Sequence, residues 1–400
     1  MSASRPVSAS LTMALGALMA IAPLATDLYL PGLPALAGDL GSGMGAAQAT
    51  VTVSLFGMGI GQLFFGPLSD AVGRRWPAIL ATAGHGLLSV LCALVQNIEL
   101  LLVLRLVQGF CGAAAMVVVM AVVRDISAGR AAGVLMSRLM LVMGVAPVLG
   151  PTLGGALLLL TDWRGIFIAL AALAAVISAF AYWRLPESLE HERRNVFRFG
   201  PVLRSYAAVL RDRIFVAVLI AAAATSTGMF AFISASPFIY QEVYGVGEQA
   251  YAALFGMNAL CMVVGTQINP LLLRRWAPPK ILLLAVVWMT LWATVAIIGV
   301  ITTDNMWLFA IPMAVFQFGL GLVNPNTQVI GLHAHGTRAG AAAAVLGAGR
   351  FMVAGLLAPM VGRFGGDSAV PLCVVMAGVS LLSVAVVLVV RRAMASVDYS

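Results

Sequence analysis

Charge is the scarcest property of this sequence. Only 10% of its 400 residues are Asp, Glu, Lys or Arg, whereas 62% are hydrophobic. Soluble domains average about 25% charged and about 45–50% apolar residues, so this composition excludes an ordinary soluble protein. Uncharged windows long enough for a helix to cross a bilayer recur along the whole chain. The sequence therefore predicts an all-α polytopic membrane protein.

Cysteine and catalytic motifs are also scarce. The four cysteines are scattered through apolar segments and have no metal-ligand spacing, which favours small buried residues over a metal site or a disulfide framework. The sequence has no Gly-Lys-Ser/Thr phosphate loop, no His/Glu metal pair and no nucleophile constellation. We therefore predict no enzyme activity, no metal and no cofactor. A gated channel is a further alternative, which uphill flux would exclude.

The uncharged windows predict twelve transmembrane helices. Their expected ranges are 10–36, 46–69, 76–96, 99–123, 132–160, 163–184, 214–240, 249–273, 280–302, 305–331, 339–362 and 368–390. Of the 23 basic residues, 19 fall on or beside one side of these spans and 2 on the other, while Arg105 and Arg350 lie inside helices. By the positive-inside rule both termini are cytoplasmic. The net charge of +8 is thus mostly a topology signal, and no nucleic-acid partner is expected.

One long hydrophilic stretch divides the chain into two halves. We predict a six-helix bundle over 1–185, a cytoplasmic linker over 186–213 with an amphipathic turn, and a second six-helix bundle over 214–400. The halves repeat each other in order, for example Phe56-Gly57-Met58 with 255–257, Arg74-Arg75-Trp76 with 274–276, Arg138-Leu-Met with 350–352, and Ala146-Pro147 with 358–359. Gly150 likewise matches Gly362. Matching positions have the same topology, so the repeat is parallel, with its axis along the membrane normal.

Asp27 is an acid inside an otherwise uncharged stretch that runs from residue 11 to residue 38. A carboxylate in the middle of a spanning helix costs about 2.5–3.5 kcal/mol even on lenient scales, and such residues mark ion or substrate pathways. Arg105 and Gln108 lie less than one turn apart inside span four. We expect Asp27 to be the principal proton carrier, with Arg105 acting on its charged form.

Several motifs resemble those of a known family. The loop Gly66-Pro-Leu-Ser-Asp70-Ala-Val-Gly73-Arg74-Arg75 resembles the signature loop of the major facilitator superfamily, whose members have two six-helix bundles related by a parallel pseudo-repeat. Asp70 and Arg74 can pair across one helical turn. The resemblance implies that Asp70 forms a latch by docking against a helix terminus of the second half, which helps to hold the outward-facing state. It also implies that Asp125, next to Arg124 at the end of span four, joins this charge cluster. It also links Arg105 to proton transfer. The second half has Pro270 in place of the loop aspartate, so the latch is one-sided.

Span five carries a second motif, Ala146-Pro147-Val-Leu-Gly150-Pro151-Thr-Leu-Gly154-Gly155. It resembles the antiporter motif of drug exporters, although ordinary helix packing by small residues is the simpler alternative. The segment Ala25-Thr-Asp27-Leu-Tyr29-Leu-Pro31 resembles the first helix of the bicyclomycin and chloramphenicol resistance branch. Some relatives carry a second acid at the position of Met19, so a single proton carrier is expected here.

These resemblances imply a proton-coupled multidrug exporter of small, mostly lipophilic compounds that works by alternating access in a bacterial inner membrane. A dedicated exporter of one endogenous metabolite with the same fold is the alternative. We expect a monomer whose partners are drugs, protons and lipid. The candidate substrate-binding residues are Asp27, Tyr29, Gln108, Phe230, Phe238, Tyr240, Asn258 and Asn324.

Overall fold

The computed structural model describes residues 8–127, 129–194, 198–358 and 368–395. Pro359, Gly362 and the predicted end of span eleven lie outside the described residues. Helices α1 to α7 are Ala9–Asp27, Leu33–Asp39, Met44–Val72, Arg75–Leu94, Ile98–Ile126, Gly129–Leu158 and Trp163–Arg184. Helices α8 to α14 are Phe199–Val209, Arg213–Phe238, Glu248–Leu273, Pro278–Thr302, Trp307–His333, Ala339–Leu357 and Val370–Ala395.

Twelve candidate membrane spans are found within the described residues, and apart from the end of span eleven each begins and ends within a few residues of its prediction. Long apolar runs make the helices, and polar residues at the loop ends fix where several of them begin. The side chain of Asn97 caps α5 by accepting from the backbone N–H of Leu100 at 2.8 Å, and Asp162 and Asp212 cap α7 and α9. The expected all-helical membrane architecture is confirmed.

The first span differs from its prediction, because it is not one continuous helix. α1 ends at Asp27, a short 3₁₀ turn covers Leu30–Gly32, and α2 then completes the crossing to Asp39. Pro31 and Pro34 cannot donate backbone hydrogen bonds, and Gly32 lowers the helix propensity further. Asp27 therefore lies at the end of a helix rather than in its middle.

The internal repeat is visible in how the helices pack. In the first half α3 packs on α5, α4 on α7 and α1 on α6; in the second half α10 packs on α12, α11 on α14 and α9 on α13. The halves meet along two equivalent seams, α3 with α13 and α6 with α10. This arrangement is that of two six-helix bundles related by a parallel repeat.

Consecutive spans are antiparallel, so their connections alternate between two faces. We call the face that carries the connections at 73–74, 185–212, 274–277 and 334–338 the linker face, and the one that carries 40–43, 95–97, 159–162 and 244–247 the far face. The linker contains more structure than the amphipathic turn expected from the sequence. Its helix α8 packs against the second bundle at α13, and the Tyr206 hydroxyl donates to the Leu63 carbonyl oxygen of α3 at 2.9 Å.

Candidate functional site

A cavity of about 1140 Å³ lies between the two bundles and opens at the linker face. Its deep end is lined by Asp27 of α1 and Asn258 of α10, while its mouth is lined by Arg124 and by residues of α8 such as Tyr206. The far face is closed below it, where the Gln241 side chain donates to the Pro31 carbonyl oxygen across the bundles at 3.0 Å. Within the described residues the cavity is therefore open on the linker side and closed toward the far face.

Asp27 lines this cavity although only 4% of the residue is exposed. No hydrogen bond or ion pair to its carboxyl group is found within the part of the chain that the structure describes. Helix α6 lies directly behind it, because a methyl group added to Gly150 would stand 2.7 Å from the Asp27 Cβ. The acid thus faces an open cavity and has no bonding partner among the residues that the structure describes.

Arg105 is fully buried behind α1 and does not line the cavity. Its guanidinium donates to the carbonyl oxygens of Ala25 and Thr50, both at 3.3 Å, and to Gln108 Oε1 at 2.6 Å. It also lies over the Tyr29 ring, 4.6 Å from the centroid, which is a cation–π contact. Arg105 is therefore bound to the backbone of α1 two residues before Asp27.

The network around Arg105 continues into α4. Gln108 Nε2 donates to Ser89 Oγ at 2.7 Å, and Ser89 Oγ donates to the His85 carbonyl oxygen at 2.9 Å. His85 Nδ1 lies 3.2 Å from the Gln108 carbonyl oxygen. His85 is thus a packed residue of this network, as its apolar surroundings predict, and the network connects α1, α3, α4 and α5 behind the cavity.

The sequence predicts that Arg105 acts directly on Asp27, but no bond between these side chains is found among the described residues. Arg105 contacts the main chain of α1 instead. Gln108 and Tyr29, also predicted to bind substrate, belong to the same buried network and lie outside the cavity lining. Their predicted roles in binding remain untested.

Three of the predicted binding residues in the second bundle line the cavity. Two of them are polar, Asn258 and Asn324, and one is aromatic, Phe230. Tyr240 lies elsewhere, in an aromatic cluster with Tyr251 and Phe309 near the far face. Phe238 is buried in the hydrophobic core and does not line the cavity. Sequence periodicity could not tell cavity-lining residues of α9 from packed ones, because apolar residues occur on all sides of this helix.

Sequence reasoning missed several residues that line the cavity. Arg350 of α13 donates from Nε to Ser226 Oγ at 3.2 Å and from Nη2 to Asn324 Oδ1. The Phe351 ring lies 5.6 Å from that of Phe230. The available signal was the presence of an arginine inside a predicted span, since such residues are expected to mark functional sites.

The signature loop forms a charge cluster at the linker face. Arg74 pairs with Asp70 at 2.6 Å, as the spacing predicts, and with Asp125 at 3.2 Å, and its Nη1 donates to Ser69 Oγ at 2.8 Å. The linker residue Glu187 accepts from the backbone N–H of Arg74 at 2.8 Å. The cluster therefore joins the end of α3, the end of α5 and the linker.

Two further gating candidates in this region are glycines, and a third is an arginine. Gly73 has φ of +103°, which glycine adopts at no steric cost, and a side chain there would collide with the Glu187 carboxylate. Gly66 and Arg124 line the cavity mouth. Asp70 is half exposed and, among the described residues, pairs with Arg74 and with no residue of the second bundle.

The predicted antiporter motif lies along α6 where that helix meets α1. A side chain on Gly154 would collide with the Leu28 carbonyl oxygen, so only glycine permits this approach. Gly155 points instead toward α10, with Ala252 Cβ 3.6 Å from where its own Cβ would be. Pro147 lines the cavity, whereas Ala146 and Pro151 are buried. The motif thus packs α6 closely against α1 on one side and against α10 on the other.

Comparison with known proteins agrees with this geometry. The sequence profile of the Major Facilitator Superfamily matches residues 15–359. The chain belongs to the major facilitator superfamily. It is accordingly a multi-pass membrane transporter of small molecules and not an enzyme.

Within the superfamily, the chain is similar to proteins of the bicyclomycin and chloramphenicol resistance branch. It is 27% identical over 372 residues to a bicyclomycin resistance protein homolog of Haemophilus influenzae, covering 93% of this chain and 94% of that protein. It is 32% identical over 312 residues to a chloramphenicol resistance protein of Pseudomonas aeruginosa, covering 74% and 71%. An uncharacterized MFS-type transporter of Bacillus subtilis, YdgK, is 33% identical over 92% of both chains.

Solved structures of superfamily transporters share the fold. A mutant of the nucleoside transporter NupG superposes with a TM-score of 0.74 at 14% identity, covering 96% of this chain and 99% of that one. A bacterial homolog of the human lysosomal transporter Spinster, in an inward-facing and occupied conformation, gives a TM-score of 0.67 at 16% identity, covering 98% and 96%.

Proposed function

We propose that this transporter exports small, mostly lipophilic compounds of the chloramphenicol and bicyclomycin type from the cytoplasm in exchange for protons. Two relatives named for resistance to these antibiotics support the substrate class. The observation that carries the coupling is the position of Asp27, a cavity-lining acid for which the described residues offer no partner.

A carboxyl group in a water-poor site holds a proton more readily than one in water. In the proposed cycle Asp27 receives a proton when the far face is open and loses it toward the linker face, where substrate enters. Substrate and proton then compete for the same end of the cavity. One proton moving down a potential of about 100 mV contributes about 2.3 kcal/mol, which supports roughly a 50-fold substrate gradient.

Arg105 has a positioning role in this proposal. Its bond to the Ala25 carbonyl oxygen holds the last turn of α1, and its bonds to Thr50 and Gln108 fix that turn against α3 and α5. A movement of α5 relative to α1 would therefore shift Asp27 without direct contact between the two side chains.

The proposed orientation sets the linker face, and with it both termini, in the cytoplasm of a bacterial cell. The uneven distribution of basic residues supports this orientation. A reporter that fluoresces only in the cytoplasm, fused after residue 400, should be bright. An enzyme reporter active only outside the inner membrane should be active when inserted in the 303–306 connection.

The test of coupling is chloramphenicol accumulation in efflux-deficient cells that express wild type, Asp27→Asn or Asp304→Asn, with and without an uncoupler. Asp304 is an exposed acid of the far face and serves as the matched control. We expect Asp27→Asn to lose uncoupler-sensitive export at unchanged protein level, and Asp304→Asn to keep it. Persistent uphill, pH-dependent export by Asp27→Asn would refute the proton site.

The alternative, export of a single endogenous metabolite, predicts a different pattern in the same cells. The test uses chloramphenicol-type compounds, lipophilic cations and nucleosides. Each compound would accumulate to the same level in cells with and without the protein. Reduced accumulation of chemically unrelated compounds would support broad specificity.

A further inference from the structure

The second bundle places one cation in the cavity. Arg350 lines it, on the opposite bundle from Asp27, and is held by Ser226 of α9 and Asn324 of α12. Both partners are neutral, and they come from two different helices. The guanidinium is therefore fixed in direction by hydrogen bonds that do nothing to neutralise its charge.

Among the residues that the structure describes, no carboxylate compensates this charge. The two acids that line the cavity in the described ranges are Asp27, which has no bond to Arg350, and Asp70, which is paired with Arg74 at the mouth. Arg350 Nη1 has no hydrogen-bond acceptor among the residues that the structure describes. A charged side chain within a membrane normally has a partner, and such residues mark binding sites when the partner is missing.

The surface beside Arg350 is aromatic. Phe351 and Phe230 both line the cavity, and their rings are tilted by 42° with centroids 5.6 Å apart. Buried aromatic faces bind flat apolar groups, and a guanidinium presents a planar fork of donors that matches a carboxylate. The two features together are complementary to a molecule that carries an aromatic ring and one negative charge.

We propose that Arg350 binds the anionic group of aromatic monoanions, such as aryl carboxylates, with the ring against Phe230 and Phe351. This inference rests on the proposed function in so far as it takes the cavity to be the substrate site. It adds a charge preference: within the range of exported compounds, those with an acidic group bind in the second bundle, on the side opposite the proton carrier. Ser226 and Asn324 are positioning residues for the guanidinium.

The test compares two probes of one shape, 2-naphthoate and the neutral 2-naphthamide, bound to the purified full chain by equilibrium dialysis with no gradient. We expect wild type to prefer the carboxylate about tenfold, since charge-assisted hydrogen bonds are roughly twice as strong as neutral ones. In Arg350→Gln the ratio should fall to about one, with naphthamide affinity within about twofold of wild type. Arg350→Lys, which keeps the charge but not the fork, should retain part of the preference.

The matched control is Arg138→Gln. Arg138 occupies the same position in the first half of the repeat but is exposed on the outside of α6. It should keep the wild-type ratio. A second variant, Asn324→Asp, provides a test that still works if Arg350→Gln does not fold. It keeps the arginine and gives it a carboxylate of the protein as an ion-pair partner. It should also abolish the preference for naphthoate.

A preference that survives in both Arg350→Gln and Asn324→Asp would overturn the proposal. So would equal binding of the two probes by wild type, or no binding of naphthoate up to millimolar concentration. Because binding is measured without a proton gradient, failure of the coupling proposal at Asp27 would leave these outcomes unchanged, and the two hypotheses fail separately.

Discussion

Gly150 of α6 lies against Asp27 of α1 so closely that a single added methyl group would stand 2.7 Å from the Asp27 Cβ. One helical turn further, Gly154 meets the carbonyl oxygen of Leu28. Segment 150–154 of α6 therefore contacts the segment that holds the acid, and the two helices can approach this closely because neither glycine has a side chain. The position of Asp27 against α6 depends on these two glycines.

Gly154→Ala should separate α6 from α1 beneath Asp27. Overpacking of this kind typically costs about 1–3 kcal/mol, which should lower the melting temperature of the purified protein and reduce export. Gly133→Ala on the same helix is the control, because nothing lies within 4 Å of its added Cβ. Equal melting temperatures and equal export for the two alanine variants would show that the close contact of Gly154 is not needed for stability or export.

Arg105→Lys should be poorly tolerated, although the charge is kept. The guanidinium reaches the carbonyl oxygens of Ala25 and Thr50 and the Gln108 side chain together, and one ammonium group on a flexible stem cannot match that geometry. We expect a loss of about 1–3 kcal/mol in unfolding free energy for the unmet acceptors, with impaired export. Arg138→Lys, at an exposed position on α6, should change little, and wild-type behaviour of Arg105→Lys would contradict a positioning role.

Within the signature cluster Arg74 should matter more than either acid. Arg74→Ala removes ion pairs to Asp70 and Asp125 together with the bond to Ser69, and Arg74 is buried. Asp70→Asn removes one half-exposed pair, and such pairs contribute only about 0–1 kcal/mol. Transport assays over a range of salt should show a large, salt-independent loss for Arg74→Ala and a small loss for Asp70→Asn. Equal losses would argue against this ranking.

Tyr206 links the linker helix to the first bundle, and burial raises the pKa of its hydroxyl to about 12, with the nearby Asp70 charge adding to the effect. The unfolded chain releases this proton at a lower pH, near 10. The contribution of Tyr206 to the free energy of unfolding is therefore fully present below pH 10 and is lost between pH 10 and about 12. Tyr206→Phe should lose about 0.5–1.5 kcal/mol at neutral pH.

The same variant predicts a pH signature for thermal unfolding of the purified protein. The stability difference between wild type and Tyr206→Phe should stay constant from pH 6 to pH 9 and shrink above pH 10, where the wild-type contribution is lost. A difference that stays constant above pH 10 would mean that the hydroxyl is not buried in solution, because the folded and unfolded chains would then release the proton at the same pH.

Much of the site could be anticipated from the residues alone. Asp27 and Asn258 stand in the cavity where the predicted binding site requires them, and Asp70 pairs with Arg74 because four residues on a helix bring side chains to one face. Tyr29, Phe238 and Tyr240 could not be sorted by the same reasoning. In a membrane helix that is apolar all round, no periodicity separates the residues that face a cavity from those that face another helix.

The sequence by itself determined the membrane class, the twelve spans and the repeat, because each of these follows from local hydropathy, charge and chain order. Tertiary structure decided what each buried polar group contacts. Arg105 bonds to the main chain of α1, whereas Arg350 faces the cavity with no acidic partner among the described residues, and Asp27 ends a helix rather than interrupting one. These differences depend on which helices meet across the bundle, and contacts between distant segments are set by packing rather than by neighbours in the chain.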